Sequence, residues 1–503
     1  MGVTSMFGLI DLKTLLLGIA VFLGVYWLAL RRKSPRNLPP GPTGWPLLGY
    51  LPKLLWSECP CETLMYESRK YGEVLSVNLA GQLTVVLNSA ASIREGFNNP
   101  LVTDRPLTTL YDNLVPNGKG VATCSGKAWS IQRRFCLRAL RGFGFGKASF
   151  EDTVSTETSR VIEEMRDHKG APFSPTLLFT NSISNIICSV IFGKTFEYSD
   201  SKFQKLLATI NRAFELTGAG GPLVFLPLAQ KLTCLPSYRE LQRCIGDILD
   251  FVREEIEAHR SNLDVDDPRD LIDHYLIAEQ HRNLDEKQND ISSHINADNM
   301  VITIFEIFIG GTETTANSLR WAVLYLMEYP EVQTKIQQEI DRVVGRNRFP
   351  RLADRPNMPF IEATIMELQR IMPVSPLPLA RYTSSDTEIQ GYSIPKDTIV
   401  LANLMSVCKD ESLWEKPDVF DPGRFIKDGK MFQPDDFLIF GAGRRVCLGE
   451  GLARMELFIS LSNLLHQFTF KKPEETTILS FKATEALTRA PLFEYETRVI
   501  LRD

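Results

Sequence analysis

The stretch Phe440-Gly441-Ala442-Gly443-Arg444-Arg445-Val446-Cys447-Leu448-Gly449 constrains this chain more than any other. One cysteine sits among glycines and arginines, and directly after it Leu448, Leu452, Met455 and Ile459 recur at helical spacing. That spacing places Cys447 in the first turn of a helix, where free N–H groups and the positive dipole end stabilise a thiolate. Gly441, Gly443 and Gly449 let the backbone come close to something flat and wide. The residues alone leave two readings open: a soft metal ligand, or the small buried hydrophobe that a free cysteine usually is.

The offsets around Cys447 narrow the choice. Phe seven before, Gly four before, Arg two before and Gly two after resemble the haem-binding signature of the cytochrome P-450 family. The resemblance implies that Cys447 is the axial thiolate of a haem b iron, the ligand type that favours O–O bond cleavage. It implies that Arg445 holds a haem propionate, that Phe440 packs against the loop near the sulfur, and that Gly449 belongs to the cofactor-binding turn. It also implies a fold, mainly α with a small β-sheet region (α+β): one large domain around the haem, preceded by an N-terminal transmembrane helix.

Composition fits a large globular protein. A chain of 503 residues, 44% hydrophobic and 23% charged, buries a sizeable core. Size alone predicts two domains, because single cores stop growing near roughly 250 to 300 residues; the resemblance implies one. A net charge of -5 gives no reason to expect nucleic-acid binding. The nine cysteines include no CxxC pair, and Cys59 and Cys61 are the only close couple, which argues for a reducing compartment and against a disulfide framework or zinc ribbon. The histidines are scattered with no HExxH, so a non-haem metal site has little support.

At the N-terminus, Leu15 to Leu30 carries no charge, and Phe7 to Leu12 extends the apolar character across Asp11. Roughly 20 apolar residues span a bilayer. The segment is a spanning anchor or a cleaved signal peptide. Its weakly charged start, and Arg31-Arg32-Lys33 with Arg36 after it, favour an anchor in the endoplasmic reticulum membrane, N-terminus lumenal and the rest cytosolic. Residues 1–36 then form the anchor and basic stop, and 37–503 the catalytic domain. Asn37-Leu38-Pro39-Pro40-Gly41-Pro42 is expected to be a stiff extended spacer. Val74 to Leu79 and Leu83 to Leu87, around Ala80-Gly81-Gln82, predict a hairpin.

Trp129 and Arg133 lie four apart on one helical face, and Arg134, Arg138 and Arg141 follow on another. By resemblance the first pair contacts haem propionates and the second face receives an acidic redox partner. A packed tryptophan with solvated arginines is the plain alternative. The apolar Gly218 to Leu228 loop is broken by Gly and Pro, and is either buried or dips into the membrane; by resemblance it falls between the two helices that roof the substrate site, which favours membrane contact near a substrate entrance.

The stretch Asn296 to Glu328 predicts a long helix with Gly310-Gly311-Thr312-Glu313-Thr314 at its middle. Paired glycines cost about 1 kcal/mol each relative to Ala, so the expectation is close approach of a cofactor and a local widening of the helix. Activating dioxygen needs protons delivered in order, and Glu313 and Thr314 offer an acid and a hydroxyl for that task. They match the family's oxygen-activation motif, with Gly310 where Ala is more usual. Glu367 and Arg370 match its ExxR motif, which alone means little: Glu163 with Arg166, Glu240 with Arg243 and Glu339 with Arg342 share the spacing, and most such pairs are expected to be surface pairs. Order selects Glu367 and Arg370, because they precede Asp421-Pro422-Gly423-Arg424-Phe425 and then Cys447. By resemblance Glu367, Arg370 and Arg424 form a buried charged triad, and Arg381, at the end of Val374 to Arg381, is a third propionate contact.

Gly142 to Gly146 is not part of a βαβ unit, and Gly120 with Gly126-Lys127 misses phosphate-loop spacing, so the chain has no nicotinamide or flavin site of its own. Electrons must come from a separate protein. The resemblance implies an NADPH-dependent flavoprotein reductase, with a cytochrome b-type donor as a further partner, and O2 as co-substrate. The implied function is haem-thiolate monooxygenation of a lipophilic steroid, fatty acid or xenobiotic. Its rivals are a haem-thiolate isomerase or dehydratase that needs no reductase, and a membrane haem carrier without turnover.

Overall fold

The computed structural model describes residues 37–106, 118–142, 150–218, 236–284, 294–476 and 478–502, with five isolated positions between 17 and 24. Among the described residues the first half runs α1 (Leu51–Leu55), α2 (Pro60–Tyr71), β1 (Val74–Leu79), β2 (Gln82–Leu87), α3 (Ala90–Asn98), α4 (Gly126–Gly142), α5 (Glu151–Asp167), α6 (Thr176–Ile191) and α7 (Ser201–Gly218). There follow α8 (Pro236–Ser261), α9 (Leu271–Leu284), α10 (Ala297–Glu328), α11 (Pro330–Val343), α12 (Pro359–Ile371), β3 (Arg381–Tyr382), β4 (Thr387–Ile389), β5 (Tyr392–Ile394) and β6 (Ile399–Ala402). The chain ends with α13 (Leu404–Cys408), β7 (Ile426–Lys427), β8 (Lys430–Met431), α14 (Glu450–Gln467), β9 (Phe468–Lys471) and β10 (Arg498–Leu501).

Local chemistry explains the helix starts. Proline at the first position opens α2, α11 and α12, where its missing N–H costs nothing. Asn296 caps α10 by accepting the Asn299 N–H. α10 is the central rod: most of its residues are buried, and α6, apolar on nearly every side, packs along it. The other wall is α14, buried almost continuously from Leu452 to His466. One core cluster joins α5, α6, α8 to α12 and α14.

The sheet is small, with order β1-β2-β6-β3. Its hairpin turns through Ala80 and Gly81, both at positive φ, which matches the right-handed twist of the strands. β2 pairs parallel with the fully buried β6, and β6 pairs antiparallel with β3, so the sheet edge fixes Arg381.

Three expectations change. The Asn37 to Pro42 segment is docked rather than a free spacer: the Ser76 N–H donates to Pro40 O at 2.9 Å and its hydroxyl to Pro39 O at 2.7 Å. Gly41 is required there, because a Cβ would sit 1.7 Å from Ser76 O. The central helix keeps α geometry throughout, without the expected widening. Two of the ExxR glutamates also serve elsewhere. Glu240 pairs with Arg212 at 2.8 Å, and Glu339 accepts the N–H groups of Phe360 and Ile361 that open α12.

The predicted anchor, apart from the five isolated positions, lies outside the described residues, as do the 218–228 loop beyond Gly218 and the 142–146 run beyond Gly142. Among the described residues no helix is long and apolar enough to cross a membrane.

Candidate active site

Cys447 is not in the first turn of α14 but two residues before its N-cap, Gly449. The reason is that its N–H donates to Phe440 O at 2.9 Å, closing the 440–447 loop before the helix begins. The Gly449 and Glu450 N–H groups at the helix mouth still favour the thiolate form of Cys447. The side chain is exposed, yet burial pushes its thiol pKa up, against those two donors and the positive charge of Arg133. Exposure to open space together with dense surrounding protein describes a sulfur facing an internal hollow. Gly443, at positive φ, brings the loop against α3: a Cβ there would lie 2.0 Å from Phe97 O. Arg454 stacks over the Phe440 ring at 4.9 Å.

Four arginines from remote segments converge beside this loop. Arg133 on α4 donates to Val446 O at 2.6 Å. Arg381 on β3 donates to Phe97 O and Ala442 O at 2.8 and 2.7 Å. Arg445 donates to Thr103 O, Ala122 O and Cys124 O. Arg105, which the sequence did not single out, donates to Ala122 O and to Leu379 O and Ala380 O. Burial pulls Arg445 and Arg381 down to about 8, with Arg105 repelling both. A guanidinium stays protonated in proteins, so this cost marks a deficit of negative charge. Among the described residues none of the four makes an ion pair.

Trp129 sharpens the point. It is 4% exposed, its ring lies 4.2 Å from the Arg445 guanidinium, and its Nε1 has no hydrogen-bond partner among the described residues. Buried donors are nearly always paired. An orphaned indole N–H beside unneutralised arginines therefore fits an anionic group such as a pair of haem propionates.

The middle of α10 opens on space. Gly310 is exposed between half-buried Ile309 and Gly311 on an otherwise largely buried helix, and a Cβ added to it would meet nothing within 4 Å. Gly311 has a different reason to be small: a Cβ would lie 2.5 Å from Ile187 Cδ1, so it permits the close approach of α6. The Thr314 hydroxyl donates to Gly310 O at 2.8 Å. Glu313 does not join Thr314. Its buried carboxylate accepts from Asn317 Nδ2 at 3.2 Å, and burial raises its pKa against the pull of Arg320 and Asn317.

Glu367, Arg370 and Arg424 are brought together. Glu367 and Arg370 are both 0% exposed and joined by two bonds, at 2.7 and 2.8 Å, while Arg424 Nε stands 3.4 Å from Glu367. Arg370 also donates to Cys408 O and Pro417 O, and the Asp421 N–H donates to Glu367.

Two further acids, half-buried Glu306 and buried Glu456, escaped the sequence reading. Glu306 accepts from the Val121, Ala122 and Thr123 N–H groups and the Thr123 hydroxyl, holding the 119–124 turn against α10. Burial raises its pKa against those donors. Glu456 on α14 is pushed up to about 8 by burial; Thr315 supplies its one side-chain hydrogen bond, and one of its oxygens has no partner among the described residues. The available signal was an acid inside an otherwise apolar run, Phe305-Glu306-Ile307 and Met455-Glu456-Leu457.

A thiol at a helix mouth, an anion-poor arginine cluster and a glycine opening on a central helix fit a cysteine-ligated haem protein. The Cytochrome P-450 family pattern matches residues 39–496, and the chain belongs to that family. It is 38% identical to human Cytochrome P-450 2U1 over 505 residues, covering 95% of this chain and 91% of that protein. It is 37% identical to mouse Cytochrome P-450 2J5 over 484 residues (95% of each) and 35% identical to human Cytochrome P-450 2C8 over 458 residues (90% and 91%). The protein is thus a monooxygenase-type oxidoreductase, and its family implies a haem with a cysteine thiolate.

Proposed function

We propose that the protein inserts one atom of O2 into a lipophilic small molecule of the steroid, fatty acid or xenobiotic type. NADPH serves indirectly, through a separate flavoprotein reductase, with a cytochrome b-type protein as a second donor. Haem b, bound through Cys447, supplies the activation of dioxygen. Trp129, Arg133, Arg381 and Arg445 hold its propionates, and Phe440 and Gly449 shape the turn that presents the sulfur. Thr314 positions a proton-accepting oxygen at the Gly310 opening, and Glu313, its pKa raised by burial, resupplies protons from within. Glu367, Arg370 and Arg424 brace the segment behind the haem. The exposed Arg134, Arg138 and Arg141 face of α4 supports docking of an acidic reductase. Residues 1–36 anchor the catalytic domain, 37–503, on the cytosolic side of the endoplasmic reticulum membrane.

The observation that carries this reading is the Thr314 hydroxyl at an open glycine in a buried helix. A passive haem carrier has no use for it. The test is oxygen consumption and product analysis with purified full-length protein, reductase, NADPH and a panel of steroids, fatty acids and aromatic drugs. Reductase-dependent oxygenated product is expected. Turnover of lipid peroxides without reductase would instead show an isomerase or dehydratase, and no turnover at all a carrier.

A further inference from the structure

The Cys59 and Cys61 pair takes no part in the haem site. Cys59 immediately precedes α2 and Cys61 lies in its first turn; Pro60 between them restricts the backbone, and the two sulfurs stand 3.0 Å apart. From the far end of the chain Glu485 joins them. One ligand atom from each of the three residues lies within 4.8 Å of the others. Cys61 is buried, while Cys59 and Glu485 are half-buried, so the cluster is backed by protein and open to a small ion on one side.

Both segments are held from behind. Asn403 Nδ2 donates to Cys61 O at 2.8 Å, and Arg489, whose N–H donates to Val374 O at 2.7 Å, pairs with Glu485 at 3.0 Å. The Arg489 carbonyl accepts the Trp321 indole N–H at 3.1 Å, which ties the 485–489 loop to α10.

We propose that Cys59, Cys61 and Glu485 form a binding site for a thiophilic closed-shell dication such as Zn2+, separate from the haem. Two sulfurs and one carboxylate oxygen make a three-ligand set that leaves a fourth position for water. With Zn–S near 2.3 Å and Zn–O near 2.0 to 2.2 Å, tetrahedral ligand atoms lie about 3.5 to 3.8 Å apart. The present spacing brackets that value, so the sulfurs need to open by less than about 1 Å. Charge nearly balances: two thiolates and the Glu485 carboxylate carry three negative charges against three positive ones from Arg489 and a dication, with Glu62 adding one further negative charge nearby. Binding releases both thiol protons to solvent and changes no oxidation state. A disulfide would engage only the two sulfurs and leave the Glu485 carboxylate with Arg489. The bound ion would join the start of α2 to the 485–489 loop.

The test uses haem-loaded full-length protein, reduced and metal-stripped, titrated with Zn2+ alone and, as a spectroscopic probe, with Cd2+ alone, whose thiolate complexes absorb in the ultraviolet. One ion per chain should bind, with protection of two thiols from alkylation. Cys59→Ser, a half-buried position, and Glu485→Gln keep the test independent of any folding defect in Cys61→Ser. Cys59→Ser should weaken binding by at least about a hundredfold, the upper end of what losing a mere supporting contact costs. Glu485→Gln should weaken it by more than about tenfold, and Cys244→Ser, a distant half-buried thiol, should leave it unchanged. Failure of the reduced protein to bind either ion, retention of full affinity in Cys59→Ser, or recovery of only a Cys59–Cys61 disulfide would overturn the proposal.

Discussion

Trp129 carries the most direct residue-scale consequence. Its indole N–H is buried and without a partner among the described residues, and under the proposed function its acceptor is the bound cofactor. Trp129→Phe keeps the ring beside Arg445 and removes only that donor. A hydrogen bond to a charged acceptor contributes about 1.5 to 3 kcal/mol, so haem transfer to an acceptor apoprotein should accelerate by roughly tenfold to a hundredfold. An unchanged rate would remove Trp129 from the propionate site. Thr314→Ala should retain haem and substrate binding yet raise hydrogen peroxide formed per NADPH at the expense of product; unchanged coupling would contradict its positioning role. Chemistry and offset together single out Cys447, Thr314 and Arg445 in the sequence, with the roles proposed above. Arg105 was not, because an arginine beside a proline has no periodic or spacing signal. The orientation of Glu313 was not legible either, since adjacent residues on a helix point about 100° apart.

At the scale of elements, the pair Glu367 and Arg370 joins α12 to the 408–424 segment through three backbone carbonyls, from Cys408, Pro417 and Val419. Arg370→Ala leaves Glu367 buried without its main partner, and should destabilise the fold by about 3 to 5 kcal/mol and lower haem retention. Chemical denaturation of the haem-loaded protein measures it. The C-terminus of α8 meets the start of α9 through His259, whose Nε2 lies 2.8 Å from Asp270 and whose Nδ1 lies 2.7 Å from Glu255 O, with the Arg269–Asp273 pair alongside. Burial pulls the His259 pKa down, but the hydrogen bond and charge of Asp270 outweigh it and the net shift is upward. The charged imidazole therefore stabilises this junction fully below about pH 6.5, and the contribution fades as pH rises through the higher folded-state value. Amide exchange in α8 and α9, compared between wild type and His259→Gln, should differ most at acidic pH and converge at alkaline pH; a pH-independent difference would contradict it. The hairpin was legible because its apolar strands and glycine turn are local. The burial of α14 was only half legible: its four spaced apolar residues suggested one inward face, while Phe458, Leu461, Leu464 and Leu465 bury the other sides. Proline content correctly excluded helix at 37–42 but could not show docking onto β1, which depends on Ser76 far along the chain.

Across the whole molecule, the order of motifs from the proline segment at 37–42 to the Cys447 loop was legible because each is short and local. The arginine cluster was only partly legible, since Arg105, Arg133, Arg381 and Arg445 come from four segments that only the complete fold brings together. On the outside, Arg134, Arg138 and Arg141 form an exposed basic stripe on α4. Arg134→Glu with Arg138→Glu should lower the apparent affinity for an acidic reductase and flatten the salt dependence of electron transfer, with haem content unchanged; equal reductase kinetics would rule out that face. The most direct test of the account is the spectrum of the reduced protein under carbon monoxide. Wild type should show the strongly red-shifted absorption of a thiolate-ligated haem, and Cys447→Ser should lose that band. A red-shifted band that survives in Cys447→Ser would contradict the assignment of the sulfur as the iron's ligand.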